Sequence, residues 1–190
     1  MPFEFNCLQI PEVILIQPTV FPDQRGFFKE IYRRSDFALN HIPQNFVQDN
    51  VSLSHRNVVR GLHYQRDPKS MGKLVSVYLG EIWDVAVDIR LGSPSYGKWV
   101  SAVLSDKNHR MVYVPQGFAH GFCCLSEEAV VAYKVTNEFD PELDAGFRWN
   151  DPDVGIQWPV ADPVLSGKDQ ALPRLADSRA DFTYLKNASP

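Results

Sequence analysis

Short segments in which apolar and polar residues alternate recur along this chain, and turn-forming residues separate them at intervals of about ten residues. The segments Phe46–Ser54 and Ile82–Arg90 show the alternation most clearly. Successive side chains of a strand point to opposite faces, so a period of two residues predicts strands. Many short strands joined by tight turns predict an all-β sandwich or barrel, whose interior is lined by one face of each strand.

The length and composition of the chain predict one globular domain. With 190 residues it can bury a substantial core, and 44% hydrophobic and 12% aromatic residues argue against disorder. The net charge of −4 contains no block of like charges, which argues against a nucleic acid or a membrane surface as partner. An anionic substrate would therefore need local arginines and lysines. We expect a single domain over residues 1–190.

Cysteine usage and hydropathy predict a soluble, cytoplasmic protein. Cys7, Cys123 and Cys124 are odd in number and lack metal-type spacing, so they are expected to be reduced packing thiols. No basic segment leads into an apolar one near the N-terminus, and no apolar run approaches the length of a membrane span.

Other segments predict turns and short helices. Residues 21–26 have the composition of a turn, and residues 27–32 read as a strand. Residues 35–39 predict a short helical turn with Ser35 as its cap and Pro43 ending it. From about residue 140 the chain is irregular and rich in proline, with a helix expected between residues 169 and 181 that Pro173 weakens.

The segment Arg60–Gln65 contains the most informative histidine of the sequence. In an extended strand, His63 and Gln65 share one face, whereas Arg60 lies on the face opposite to His63. A regular strand would not deliver both cations to one site, so we expect Gly61 to mark a bend or bulge. Taken alone, such a histidine is more often found on a solvated strand face.

Three kinds of site fit these residues. A metal-dependent jelly-roll enzyme would use His63 and the distant His120, but a glutamate with suitable spacing after Gln65 is missing. Metal-free acid/base catalysis needs a base such as His63, a proton donor such as Tyr133, and cations to hold anionic oxygen. Arg60 and Lys73 could supply those cations. A non-catalytic sugar-binding jelly roll would need the polar strand faces but no pair of acid and base.

Seven segments, in order along the chain, resemble the dTDP-4-dehydrorhamnose 3,5-epimerase family. They are Arg25–Glu30, Gln48–Ser52, Arg60–Gln65, Asp84–Arg90, Val114–Phe122, Tyr133–Lys134 and Leu165–Asp169. The resemblance implies a cupin-type double-stranded β-helix, or jelly roll, with short helical segments toward the C-terminus. It also implies a homodimer without metal or cofactor that binds a dTDP-4-keto-6-deoxy sugar.

The implied activity is that of an isomerase. It would epimerise dTDP-4-dehydro-6-deoxy-α-D-glucose at C3 and C5 to dTDP-4-dehydro-β-L-rhamnose, in the dTDP-L-rhamnose pathway that serves lipopolysaccharide and O-antigen synthesis. By the resemblance, His63 is the base, Asp169 its carboxylate partner, Tyr133 the proton donor on the opposite face, and Lys73 the cation on the enolate oxygen. The residues implied to contact the nucleotide sugar are Arg25, Glu30, Gln48, Asn50, Arg60, His120, Asp144 and Lys168.

The chain departs from the family pattern at two positions. Phe139 stands where the family often has a second tyrosine, and Asp144 stands where it tends to have a glutamate. Phe139 keeps an aromatic surface but lacks the hydroxyl group. This difference leaves open an enzyme that inverts only C3 or only C5, beside a sugar-nucleotide-binding protein without catalysis.

Overall fold

The computed structural model describes residues 2–42 and 45–185, whose regular secondary structure is mostly β-strand. The strands are β1 (Phe3–Cys7), β2 (Ile14–Pro18), β3 (Val20–Asp23), β4 (Gly26–Lys29), β5 (Gln48–His55), β6 (Val59–Gln65), β7 (Lys73–Leu79), β8 (Glu81–Asp88), β9 (Trp99–Ser105), β10 (Met111–Val114), β11 (Phe118–Cys124), β12 (Glu128–Val135) and β13 (Asp144–Gly146). The helices are α1 (Arg34–Leu39), α2 (Gly167–Gln170) and a 3₁₀ turn (Leu175–Asp177).

Two antiparallel sheets form the body of the protein. One has the strand order β1-β2-β10-β7-β12-β5 and the other the order β13-β6-β11-β8-β9. Strands β3 and β4 pair only with each other, in a separate two-stranded ribbon. The arrangement is a cupin-type jelly roll, which confirms the predicted fold class.

The main core lies between the two sheets. Val75 and Val131 from the six-stranded sheet pack with Ile82, Ala86 and Phe122 from the five-stranded sheet, and all five are buried. Their burial removes apolar area from water at about 25 cal/mol per Å², which is the main term holding the two sheets together. At one end of this interior the apolar packing gives way to polar side chains.

Segments outside the two sheets cover part of the outer face of each sheet. The irregular C-terminal segment lays Leu175 and Phe182 against Leu62, Val85 and Val87 of the five-stranded sheet. On the other side, residues of α1 and the chain that follows it pack against β1, β2 and β10. The predicted irregular segment beyond residue 140 therefore completes a second hydrophobic layer.

Strand β5 turns its polar face inward, as a strand bordering a polar cavity would. Val51 and Leu53 are 67% and 50% exposed, whereas Ser54, on the other face, is buried. The alternation of residues thus predicts the strand correctly, but its apolar face is the outer face of the sheet and its polar face points inward.

Gly61 produces the irregularity expected in β6. Its φ is +122°, and a Cβ atom there would lie 2.6 Å from Gly121 Cα and 2.8 Å from the carbonyl oxygen of His120. The pairing of β6 with β11 shifts register between His120 and Phe122. The predicted bulge is confirmed, and it lets Arg60 and His63 reach the same side of the strand.

Several local predictions were wrong at their boundaries. Residues 21–23, predicted as part of a turn, belong to strand β3, and the strand predicted over residues 27–32 begins at Gly26 and ends at Lys29. Helix α1 begins after Arg33 without a side-chain cap, so Ser35 is not its cap. Pro43, expected to end that helix, lies outside the described residues.

The C-terminal helix also begins earlier than predicted. Helix α2 begins at Gly167, where the Ser166 hydroxyl accepts a hydrogen bond from the backbone of Asp169, and the chain leaves the helix before Pro173. All the helices are short. Across the described part of the chain, no helix combines the length and the apolar character that crossing a membrane requires.

Candidate active site

His63 and Asp169 form a hydrogen-bonded pair at the polar end of the interior. His63 is presented by β6, and Asp169 comes from the first turn of α2, where the Ser166 cap fixes the backbone. The Nε2–H of His63 donates to Asp169 Oδ1 over 2.6 Å, and Asp169 is buried. This bond leaves Nδ1 of a neutral His63 as the nitrogen with a free lone pair.

The charge state of Asp169 follows from two opposing effects. Burial acts to raise the pKa of Asp169, but the hydrogen bond and positive charge of His63 outweigh it and hold the pKa below its usual value. Asp169 therefore stays ionised, and an ionised partner stabilises the imidazolium that forms when His63 takes a proton. The pair has the electrostatics of a general base with an orienting carboxylate.

Tyr133 and Lys73 come from the other sheet. Tyr133 on β12 pairs with Val75, and Lys73 on β7 pairs with Val135, two residues further along β12. Diagonal neighbours of this kind share a face and lie within reach of long side chains. The ammonium group of Lys73 donates to the carbonyl oxygen of His63 over 3.3 Å, so it bridges the two sheets.

Lys73 is an unusual lysine. Burial lowers its pKa from 10.5 to about 8, although the negative charges of Asp84 and Asp144 act in the opposite direction. A half-buried ammonium with one carbonyl partner has donors left for a developing oxyanion. Near neutral pH it remains mostly protonated and can stabilise negative charge.

A second histidine–carboxylate pair stands beside the first. His120 on β11 is the cross-strand partner of His63, and its Nε2 lies 2.8 Å from Asp84 Oδ2 with both residues buried. Arg60 is oriented by hydrogen bonds to the Ser54 hydroxyl and the carbonyl of Leu53, at 2.9 and 2.8 Å. Asp84 is therefore the carboxylate partner of a buried histidine.

These side chains surround one cavity of about 280 Å³. Its lining residues are Arg60, His63, Lys73, His120, Phe122, Tyr133, Ser166, Lys168 and Asp169. Three of them are permanently or mostly cationic, and Asp169 is the one carboxylate. The cavity thus offers a base, a phenol and positive charge, which suits an anionic substrate with an acidic C–H bond.

A family model for dTDP-4-dehydrorhamnose 3,5-epimerase matches residues 7–177. The chain belongs to this family. A dTDP-4-dehydrorhamnose 3,5-epimerase of Pseudomonas aeruginosa is 51% identical over 174 residues, which are 90% of this chain and 95% of the relative.

A solved structure and a relative with a different stated activity extend the comparison. The crystal structure of dTDP-6-deoxy-D-glucose-3,5-epimerase RmlC from Legionella pneumophila Philadelphia 1, in complex with dTDP-4-keto-L-rhamnose, has a TM-score of 0.91 and 44% identity. The match covers 96% of this chain and 99% of that one. A dTDP-4-dehydrorhamnose 3-epimerase of Streptomyces niveus is 39% identical over 173 residues, 90% of this chain and 84% of the relative.

Of the twelve residues singled out from the sequence, seven line the cavity and five do not. Those outside its lining are Arg25, Glu30, Gln48, Asn50 and Asp144. Arg25 stands at the turn of the β3–β4 ribbon with an 85% exposed side chain paired to Asp23, and Glu30 pairs with Arg33. The ribbon of this chain does not contribute to the cavity of the same chain.

Gln48, Asn50 and Asp144 lie outside the cavity lining and interact with one another or with residues near the cavity. The amide of Gln48 donates to Asn50 and its oxygen accepts from the backbone of Phe139, at 2.8 and 2.9 Å. Asn50 and Tyr133 also line a separate pocket of about 140 Å³. Asp144 forms an ion pair with Lys168, which ties β13 to α2.

Phe122 and Ser166 line the cavity but were not selected from the sequence. Phe122 lies two residues after His120 and so shares its strand face, and this spacing could have indicated that Phe122 lines the cavity. Ser166 stands three residues before Asp169, the spacing of a helix cap. Within the described residues, no group of three or more His, Cys, Asp or Glu side chains is placed to hold a metal ion.

Proposed function

We propose that this protein epimerises dTDP-4-dehydro-6-deoxy-α-D-glucose at C3 and C5, forming dTDP-4-dehydro-β-L-rhamnose. Membership of the epimerase family supports this activity, as does the likeness to a structure in complex with dTDP-4-keto-L-rhamnose. The observation that carries the mechanism is that His63 and Tyr133 belong to different sheets and line the same cavity.

The chemistry uses the C4 ketone of the substrate. The ketone makes the C–H bonds at C3 and C5 acidic, and His63 Nδ1 removes the proton while the C–H electron pair becomes an enolate. Lys73 binds the enolate oxygen, and Asp169 stabilises the imidazolium of His63. Tyr133 then gives its phenolic proton to the opposite face of the same carbon, which inverts the centre. Proton return from His63 to Tyr133 by way of solvent restores both groups for the second centre.

The remaining cations would hold the diphosphate. Arg60 and Lys168 line the cavity, and guanidinium and ammonium groups are the usual partners of phosphate oxygens. His120, fixed by Asp84, lies beside His63 and can contact the sugar.

Incubation with the 4-keto sugar nucleotide in D₂O tests this proposal. Deuterium at both C3 and C5 of the product is expected, and His63→Ala is expected to abolish exchange at both centres. His120→Ala serves as the matched control, since it removes a neighbouring imidazole of the same cavity and should weaken binding more than exchange. Exchange that persists in His63→Ala would remove His63 from the role of base.

An enzyme that inverts one centre is the second candidate. Phe139 is 55% exposed and carries no hydroxyl, and a relative at 39% identity is a 3-epimerase. Deuterium at C3 alone or C5 alone would favour this candidate. Tight binding of the nucleotide sugar without exchange would favour a binding protein.

A homodimer would reconcile the substrate contacts expected of Arg25 and Glu30 with their places outside the cavity. We propose that the β3–β4 ribbon of one protomer reaches the cavity of its partner. The exposed apolar side chains of Phe21, Phe27 and Phe28 on this ribbon support a covered position for it. Mixing inactive Arg25→Ala and His63→Ala proteins should restore activity by forming mixed dimers; a mixture that stays inactive despite subunit exchange would argue against this arrangement.

The proposed substrate also suggests where the protein works. Nucleotide-activated sugars are made in the cytoplasm, and the cysteines among the described residues are free thiols. We therefore propose a cytoplasmic enzyme.

A further inference from the structure

Side-chain contacts rather than strand pairing join the β3–β4 ribbon to the rest of its own chain. Its two strands form hydrogen bonds with each other and with neither of the main sheets. A two-stranded ribbon alone is marginally stable, so side-chain contacts with its own chain, together with the partner in the proposed dimer, set its position. Arg25, at the turn of the ribbon, depends on that position.

One histidine of the same chain contacts the ribbon. The ammonium group of Lys29 lies 3.2 Å from His109 Nδ1, and the ring centroid of Phe27 lies 4.8 Å from that of His109. Lys29 also stands 5.7 Å from the Phe27 ring centroid, so the three side chains form one cluster. His109 belongs to the turn between β9 and β10 and has a φ of +57°.

The Lys29–His109 contact requires a neutral imidazole. An ammonium group has only donors, so His109 Nδ1 must be the acceptor and its proton must sit on Nε2. Protonation turns Nδ1 into a donor and brings two positive charges together. The contact then becomes repulsive.

The surroundings favour the neutral form of His109. Burial and the charge of Lys29 lower the pKa of His109, and Asp106 opposes them. The Asp106 carboxylate also accepts a hydrogen bond from the backbone of Gly80. From β2, the neutral side chain of Gln17 donates to a carbonyl of the same turn, and the charged chain neighbours Lys107 and Arg110 are exposed.

We propose that His109 is a positioning residue, which holds the ribbon through Lys29 and Phe27 and releases it when its imidazole takes up a proton. Release needs a pH below the ordinary value for histidine, about 6.5. The consequence for catalysis rests on the proposed function. If Arg25 contacts the nucleotide sugar, KM rises in acid while kcat at saturating substrate changes little.

Amide hydrogen exchange of residues 20–29 tests the release directly. The wild type is compared with His109→Asn at about pH 7.5 and about pH 5.5, which bracket the histidine titration. Asparagine offers an oxygen to Lys29, tolerates a positive φ and cannot be protonated. Comparing the two proteins at one pH cancels the intrinsic pH dependence of exchange.

The expected result is similar exchange at the higher pH and about threefold to tenfold faster exchange of the wild-type ribbon at the lower pH, the range for losing one partly exposed charged hydrogen bond. Lys29→Gln, whose amide can pair with either form of His109, should also lose the acid response. Equal exchange of the wild type and His109→Asn at both pH values would overturn the proposal. Faster exchange of His109→Asn at both values would also overturn it, since the role would then be structural.

Steady-state kinetics of the same proteins link the release to substrate binding. KM of the wild type, relative to that of His109→Asn, should rise in acid. A flat ratio beside faster wild-type exchange would overturn the link to binding and support proton-driven release. Absence of epimerisation in both proteins would overturn the proposed function, and the exchange result would still decide on His109.

Discussion

The ammonium group of Lys73 is expected to reduce the stability of the fold that it serves. Its pKa falls from 10.5 to about 8 on folding because of burial. At about 1.4 kcal/mol per pKa unit, this shift corresponds to about 3 kcal/mol, with partial exposure in the cavity reducing the effect to about 1–3 kcal/mol. Since the folded-state pKa lies below the unfolded-state pKa, the full cost applies below about pH 8.

Replacing this charge by an apolar side chain of similar length should therefore stabilise the protein. For Lys73→Met we expect a gain of about 1–3 kcal/mol near pH 7, or about 2–12 °C in the midpoint of thermal unfolding. The gain should diminish between about pH 8 and pH 10.5, where wild-type Lys73 becomes neutral in the folded protein. Deuterium exchange into the substrate should be lost, because the enolate oxygen would have no cation.

Circular dichroism melts at several pH values, together with the exchange assay, measure both effects. Lys134→Met is the matched control, since Lys134 lies on the neighbouring strand and pairs with the exposed carboxylate of Asp49 at 2.7 Å. Its removal should change stability by less than about 1 kcal/mol, without the same pH dependence. A Lys73→Met protein that is less stable than the wild type near pH 7, or whose difference is the same at every pH, would refute the reasoning.

Two further substitutions test how His63 is supported. Asp169→Asn keeps a side chain of the same shape but cannot stabilise the imidazolium, so kcat should fall by about 10²–10⁴-fold in steady-state assays; an unchanged kcat would remove Asp169 from the mechanism. Gly146→Ala would place a Cβ atom against the carbonyl oxygen of Leu62 and 3.3 Å from the His63 ring. Here kcat should fall more than KM changes, and a protein with normal kinetics would show that the ring tolerates the displacement.

The alternation of apolar and polar residues located the strands because it depends only on neighbouring residues in each segment. It could not predict which part of the chain covers each face of a strand. In β8, Val85 and Val87 lie beneath the C-terminal segment, while Ala86, on the face that carries the charged residues, belongs to the main core. Both faces of this strand are therefore buried. The covering segment is distant in sequence and has no periodicity, so no local signal predicts it.

The candidate site was accessible from the sequence in part. Residue chemistry indicated a histidine base, a phenol and cations, but assigning Asp169 to His63 depended on the family resemblance, since 106 positions separate them. In a regular strand, Arg60 and His63 would lie on opposite faces. The bulge at Gly61 brings both side chains to the cavity. Phe122 was missed because an aromatic residue within an aromatic strand more often packs in a core.

The cluster of cations in the cavity affects how an anion arrives there. The chain carries a net charge of −4, so at long range it repels a dianion, and attraction begins only near Arg60, Lys73 and Lys168. Physiological salt limits that attraction to about 8 Å. Encounter with substrate is therefore governed by random diffusion up to the mouth of the cavity, and capture happens in the last few ångströms, where free diphosphate competes for the same charges.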